Sequence, residues 1–317
     1  MANRFNVMDM PNIRNIHVVP VPRTGGLILC LTFLSILFIS DFPVFGLNLG
    51  IYIAWWHVLS VFLIFAVGFI DDLFTLGFQI RLILQLLISI FFVVASGMYL
   101  TNYGILINFP AIFAIPFTVF CIMGVTNAYN IIDGLDGLSA GCGLIFFAQA
   151  AFLAYKYDSH SLVLFAVLFA GCLLGFIIYN FPSAKIFLGD GGSYLIGFSI
   201  ATMAIIILKE HTEISPWALL LMTFVPVFDT SFAIARRKRK KRSPFKADKR
   251  HLHHILRRRY RSDTRAVIVI WSLQFLTGAL AIYFHKNTLV LAVITVLSVL
   301  FLKRLWIKPL KFGGIRI

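Results

Sequence analysis

Ten apolar stretches take up most of this chain, and most are long enough to cross the ~30 Å hydrocarbon layer of a bilayer as helices. They occupy 25–42, 51–70, 82–100, 107–126, 138–155, 162–179, 194–208, 216–235, 266–284 and 289–302. A soluble globular domain does not carry a mean hydropathy of +0.90 with 60% hydrophobic residues. The expected fold class is therefore all-α: a polytopic membrane protein with about ten transmembrane helices, a single domain over 1–317. No soluble domain can be cut out, because the longest polar stretch, 236–265, is too short to enclose a core of its own. Residues 1–26 are polar and lack an apolar signal-like run, so no cleavable leader is expected.

The net charge is +15, and the placement of the cations sets the orientation. Alternating the loops from an inside N-terminus puts 25 of the 28 lysines and arginines inside, leaving only Lys156, Lys209 and Lys286 outside. By the positive-inside rule both termini then face the cytoplasm. The same alternation, counted independently, places Asp71, Asp72, Asp133, Asp136 and Asp190 on the cytoplasmic side, with Asp9 and Asp229 as outliers. The outer loops are short and plain. The inner loops hold nearly all the unusual residues. Cys30, Cys121, Cys142 and Cys172 lie in apolar stretches with no C-x-x-C spacing, and are read as small buried hydrophobes.

Asp71 and Asp72 end the second stretch. As a pair they read either as an interfacial stop or as a cation site, since adjacent carboxylates repel unless a cation binds or one is protonated. Arg81 and Gln85 follow at i, i+4 from the same side. Asn127, Asn130, Asp133 and Asp136 recur every third residue. On an α-helix they fan over half the cylinder; on a 3₁₀ turn they line one edge. Amides and carboxylates at this spacing suit a hard cation or a nucleotide. Gly189, Gly191 and Gly192 surround Asp190 at a helix start, where backbone N–H groups favour an anion. Lys185 precedes them as a phosphate contact, against the plainer reading of a tight interhelical loop. His251, His253 and His254 sit in the basic loop 236–265 without a Cys or Glu to complete a zinc site, so phosphate hydrogen bonding fits better. The run 236–242, RRKRKKR, is read as a lipid and topology signal and not as a nucleic-acid patch. Asp229 lies about two turns inside the eighth stretch, a functional candidate by default with pairing to a cation as the alternative.

Taken in order, these motifs resemble the polyprenyl-phosphate N-acetylhexosamine-1-phosphate transferases. The likeness rests on Asp9, Pro11, Asn12, Arg14 and His17, then Pro22-Arg23-x-Gly25-Gly26, then Asp71-Asp72. It continues through Asn127-x-x-Asn130-x-x-Asp133-Gly134-x-Asp136-Gly137-Leu138, Lys185-x-Phe187-x-Gly189-Asp190-x-Gly192-Ser193 and His251-Leu252-His253-His254. The H-x-H-H form after Ser243-Pro244-Phe245 is closer to the GlcNAc-1-phosphate branch than to the muramyl-pentapeptide branch. That branch is expected to carry one more apolar helix before the Asp9 motif, whereas eight residues precede Asp9 here.

The resemblance implies a magnesium-dependent transfer, with manganese as a substitute. N-acetylhexosamine-1-phosphate, GlcNAc-1-phosphate first of all, would move from a UDP-sugar to undecaprenyl phosphate with release of UMP, initiating a cell-envelope polysaccharide. It implies a multi-pass protein of the bacterial cytoplasmic (inner) membrane, its active site on the cytoplasmic face. Asp190 and Asp133 are the implied metal ligands. Asp71, Asp72 and Asp190 would carry the catalysis. Asn127, Asn130, Asp133, Asp136, Arg14, Arg81, Lys185, Phe187, Gly189, His251, His253 and His254 would contact substrate, Phe187 by stacking on uracil. The partners are the UDP-N-acetyl sugar, undecaprenyl phosphate and the bilayer, with no nucleic acid; a homodimer stays open. The alternatives are the muramyl-pentapeptide transferase reaction, an anionic-metabolite transporter, and an inactive scaffold.

Overall fold

The computed structural model describes residues 8–9, 20–41, 55–102, 109–241 and 251–307. Arg14, Pro11, Asn12, His17 and the segment 243–245 lie outside the described residues. A two-stranded antiparallel ribbon, β1 (Met8–Asp9) with β2 (Val21–Pro22), precedes twelve helices. These are α1 (Gly25–Asp41), α2 (Trp55–Phe74), α3 (Phe78–Ser96), α4 (Ala111–Ile132), α5 (Leu138–Lys156) and α6 (His160–Asn180). They continue as α7 (Gly189–Glu210), α8 (Pro216–Met222), α9 (Phe224–Arg239), α10 (Leu252–Tyr260), α11 (Asp263–Tyr283) and α12 (Thr288–Ile307). Eight of them are long and apolar enough to cross a membrane: α2 to α7, α11 and α12. The fold is all-α and polytopic, as expected.

Each of the ten apolar stretches contains one helix except the eighth, which contains two. The expected unbroken span 216–235 is instead bent by 86° between α8 and α9. Pro226 supplies the reason. It has no N–H to give the carbonyl four residues back, which is that of Met222. Gln274 of α11 takes up the loose ends: its Nε2 donates to the Met222 carbonyl, and its Oε1 accepts from the Val225 N–H at 3.1 Å. Broken helices survive at membrane depth only where such partners re-satisfy the backbone.

The centre of the bundle is α7, buried along most of its length and packed on α1, α2 and α4. Lipid offers no hydrophobic drive between helices, so close backbone approach and good packing must hold them. Gly68 of α2 lies against the Asp190–Gly191 backbone, and Gly26 of α1 lies against Gly192; a methyl at either place would strike main chain. Aromatic rings fix α1 to α6, with Phe33 edge-on to Phe165 at 5.3 Å and tilted over Phe169 at 4.9 Å. At the end of the bundle far from the aspartates, His285 Nε2 meets the Tyr157 hydroxyl at 2.9 Å. His211 Nε2 meets Ser159 Oγ there at 2.7 Å, so three helix-connecting loops are tied together.

Candidate active site

The carboxylates gather where the C-terminal end of α2 meets the N-terminal end of α7. Asp72 reaches across from α2 and accepts the backbone N–H groups of Asp190 and Gly191, at 2.9 and 3.0 Å. It therefore caps α7 from a neighbouring helix, where free N–H groups and the helix dipole favour negative charge. Gly189 allows this approach. Its φ of +73° suits a residue without Cβ, and an added Cβ would stand 2.5 Å from Asp72 Oδ2. Asp71 turns the other way. It is buried, receives Arg81 Nη1 at 2.6 Å and accepts the Leu76 N–H at 2.7 Å. The expected repulsion between the two aspartates is thus relieved within the protein, by a guanidinium for one and a helix N-terminus for the other.

Asp190 stands in the first turn of α7, since the helix begins at Gly189 and not near Tyr194. Its Oδ1 accepts from Asn130 Nδ2 at 2.7 Å, and Arg81 Nη1 lies 3.5 Å from its Oδ2. Asn130 also donates to Ser193 Oγ at 2.9 Å. Asn127, one turn earlier, donates to Gln85 Oε1 at 2.6 Å. The three-residue repeat therefore does not line a single edge. Asn127 and Asn130 are on the α-helical end of α4, while Asp133 closes that helix and Asp136 lies in the turn to α5. Asp136 Oδ2 accepts the Ala184 N–H at 3.0 Å. Asn180 braces the same turn, accepting from the Gly137 N–H at 2.5 Å and donating to the Ile186 carbonyl at 2.8 Å. Burial pushes the Asp133 carboxyl well above the usual range, and the charges of Asp190, Asp136 and Asp72 push it further.

The loop before α7 also receives the N-terminal motif. The Phe187 N–H donates to the Pro22 carbonyl, and the Gly25 and Gly26 N–H groups donate to the Phe187 and Leu188 carbonyls, all at 2.9 Å. Phe187 is half-buried and Lys185 is exposed. The histidine motif opens α10. His251 and His253 are buried, and their rings stack 5.7 Å apart at 7°. The His253 ring fills the space above Gly134, bringing this motif against the Asp133–Asp136 turn. Burial first, then the nearby charges of His254, His251 and Arg257, hold His253 well below the usual histidine value. For Asp229 the sequence offered pairing to a cation without saying which. The structure pairs it with His251, Nδ1 to Oδ2 at 2.7 Å, and its Oδ1 accepts the Leu252 N–H at 2.8 Å.

A groove of about 970 Å³ joins this polar end to the apolar flank of the bundle. Arg81, Asn127, Asn130, Arg237, His251 and His254 line one end. Leu100, Phe117, Phe120, Leu208, Trp217 and Leu220 line the other. The break between α8 and α9 forms one wall, so Pro226 and Gln274 shape the groove. Sequence alone gave the groove no location; Pro226 in the eighth apolar stretch and the polar Gln274 in the ninth were its visible signs.

Among the described residues no three or more His, Cys, Asp and Glu side chains are grouped so as to hold a metal ion by themselves. Magnesium asks for less, because it binds through one or two carboxylates and keeps water and substrate phosphates as its other ligands. The donors here are oxygens, as magnesium requires. Asp190 offers an Oδ2 whose nearest cation stands 3.5 Å away, and the crowded negative charge around Asp133 is what a divalent cation offsets.

Comparison with known proteins gives the family. The family model described as glycosyl transferase family 4 matches residues 54–208. A Bacillus subtilis protein named "Probable undecaprenyl-phosphate N-acetylglucosaminyl 1-phosphate transferase" is 31% identical over 91% of this chain and 80% of its own length. The undecaprenyl-phosphate alpha-N-acetylglucosaminyl 1-phosphate transferase of Thermotoga maritima is 30% identical over 86% of this chain and 81% of its own. The decaprenyl-phosphate N-acetylglucosaminephosphotransferase of Mycolicibacterium smegmatis is 34% identical over 86% and 73%. The family model and these relatives agree: this chain belongs to glycosyl transferase family 4.

Proposed function

We propose that this protein transfers N-acetylglucosamine-1-phosphate from UDP-N-acetylglucosamine to undecaprenyl phosphate, releasing UMP at the cytoplasmic face of the bacterial inner membrane. The observation that carries this reading is the groove, because a polyprenyl phosphate needs an apolar channel that ends at cations and hydrogen-bond donors. The names of the Bacillus and Thermotoga relatives support the same lipid and sugar, and that of the Mycolicibacterium relative the same sugar with a shorter polyprenyl phosphate.

The chain's own residues divide the work. Asp72 holds the α7 N-terminus, and so Asp190, in place. Asp190 and Asp133 would hold magnesium, which supplies positive charge to the diphosphate of the donor. Arg81 and the histidine motif face the phosphate groups and stabilise charge that spreads over the phosphoryl oxygens in the transition state. Asn127 and Asn130, fixed by Gln85 and Ser193, hold the donor between α3, α4 and α7. Lys185 and Phe187 border the nucleotide from the loop before α7.

The test is UMP release from UDP-N-acetylglucosamine by purified protein, with undecaprenyl phosphate and magnesium added and omitted in turn. Turnover that needs both, and that stops on chelation, is the expected result. A muramyl-pentapeptide donor serves as the comparison. Lipid-independent hydrolysis, or full activity after Asp190→Ala, overturns the assignment.

A further inference from the structure

Asp229 and His251 form a buried pair outside the carboxylate cluster, and the chemistry of their neighbours fixes which ring nitrogen bears the proton. An ionised carboxylate can only accept a hydrogen bond. Asp229 Oδ2 lies 2.7 Å from His251 Nδ1, so Nδ1 is the donor. Its Oδ1 is occupied by the Leu252 N–H at 2.8 Å, which keeps the carboxylate from turning away. On the other side of the ring, Arg237 Nη2 stands 3.5 Å from Nε2, and a guanidinium can only donate. Both neighbours select the same tautomer, with hydrogen on Nδ1 and a lone pair on Nε2. His251 and Arg237 both line the polar end of the groove. Asp229 is 2% exposed and does not line it.

We infer that Asp229 is a positioning residue, which locks His251 so that Nε2, once the Arg237 guanidinium turns from it to the phosphate, presents its lone pair to the phosphate end of the groove and accepts the proton of the acceptor phosphomonoester. This rests on the transferase reading. In that step the P–O–H bond breaks, its proton moves to Nε2, and the electron pair stays on the phosphate oxygen. That oxygen then forms the new bond to the β-phosphorus of the donor as UMP leaves with the electrons of the old bond. The imidazolium, still held by Asp229, returns its proton to solvent.

The experiment compares the wild type with Asp229→Asn, His251→Gln and the double variant, with ¹⁵N-histidine spectra of each in detergent. In Asp229→Asn, an Asn that still accepts the Leu252 N–H turns an NH₂ toward the ring. His251 should then switch to the tautomer with hydrogen on Nε2, its signals assigned by their loss in His251→Gln. The kcat for UMP release should fall about 100-fold with the KM for UDP-N-acetylglucosamine unchanged. In the His251→Gln background the same change should cost less than about twofold, because a residue acting through another is non-additive with it. Asp229→Glu, which keeps the carboxylate, should recover part of the activity. An unchanged tautomer in Asp229→Asn, or a full 100-fold loss added on top of His251→Gln, overturns the inference. Absence of turnover in the wild type would refute the transferase reading instead, and the spectra would still decide whether Asp229 sets the ring.

Discussion

Replacing Asp72 by alanine separates a structural from a chemical role for the aspartate pair. The side chain makes two charge-assisted hydrogen bonds, to the N–H groups of Asp190 and Gly191 at 2.9 and 3.0 Å. Bonds to a charged group contribute roughly 1.5–3 kcal/mol each. Asp72 is partly solvent-accessible, so the lower end applies, and Asp72→Ala should cost about 3 kcal/mol. The unfolding midpoint in detergent should then fall by roughly 6–12 °C. Asp190 would lose its backbone anchor, and displacement of a reacting group by about 1 Å costs on the order of 100-fold in rate. Asp72→Asn is the informative partner, because it keeps one acceptor while losing the charge. If Asp72 acts by holding α7, the Asn variant should lose about half the stability and retain measurable turnover. The assay pairs a thermal-unfolding series with UMP release. An unchanged midpoint in Asp72→Ala, with Asn and Ala equally inactive, would refute the argument and return Asp72 to proton transfer.

Other substitutions test neighbouring parts of the same design. Gln274→Leu leaves the Met222 carbonyl and the Val225 N–H without their partner, at about 1–3 kcal/mol for each buried group. Because the α8–α9 break walls the groove, this variant should raise the KM for undecaprenyl phosphate more than that for the nucleotide sugar. Gly189→Ala forces a Cβ into left-handed backbone, at about 1–2 kcal/mol, and pushes the Asp72 carboxylate aside. In an Asp72→Ala background only the backbone strain should remain, as a thermal-unfolding cycle would show. The docking of α10 should weaken in acid. Burial lowers the folded-state value of His253, so its stabilisation is complete above the ordinary value of about 6.5 and falls by about 1.4 kcal/mol per pH unit below it. Hydrogen exchange over 251–260 at pH 5.5 and 7.5 should show this slope, reduced in His253→Gln; equal protection at both would count against it.

The sequence made the helices legible because a bilayer allows few alternatives: a long apolar run must satisfy its own backbone. The end of the bundle that holds the aspartates was legible for a related reason, since alternating spans put Asp71, Asp133 and Asp190 on one side whichever way the chain inserts. What could not be read was which oxygen meets which hydrogen. The Asp72 to Asp190 contact spans 118 residues and runs to a backbone N–H, for which no side-chain pattern exists. The α8–α9 break carried a sign in Pro226, but proline is tolerated in membrane helices. Only the position of Gln274 on α11, 52 residues beyond Met222, turns that tolerance into a bend. Asp229 was singled out by its apolar surroundings, yet its partner His251 comes from beyond the basic run, where spacing says nothing about contact.

These contacts also answer an electrostatic objection to an aspartate-rich site for anionic substrates. Counted by residue type, Asp71, Asp72, Asp133, Asp136 and Asp190 should repel a diphosphate and a lipid phosphate alike. Counted by contact, the charge of Asp71 meets Arg81, that of Asp72 meets the positive end of α7, and Asp136 accepts a backbone N–H. Each of those three carboxylates is partly offset by the group that it meets. The remaining negative charge centres on Asp190 and Asp133, the two residues assigned to the metal. The walls where a phosphate would lie instead present Arg81, Arg237, two asparagine amides and the histidines. The same carboxylates that look hostile in the sequence thus serve to place cations, amides and a helix terminus around the phosphates. Removing Asp71, Asp72 or Asp136 should damage the site chiefly by releasing the donor it restrains.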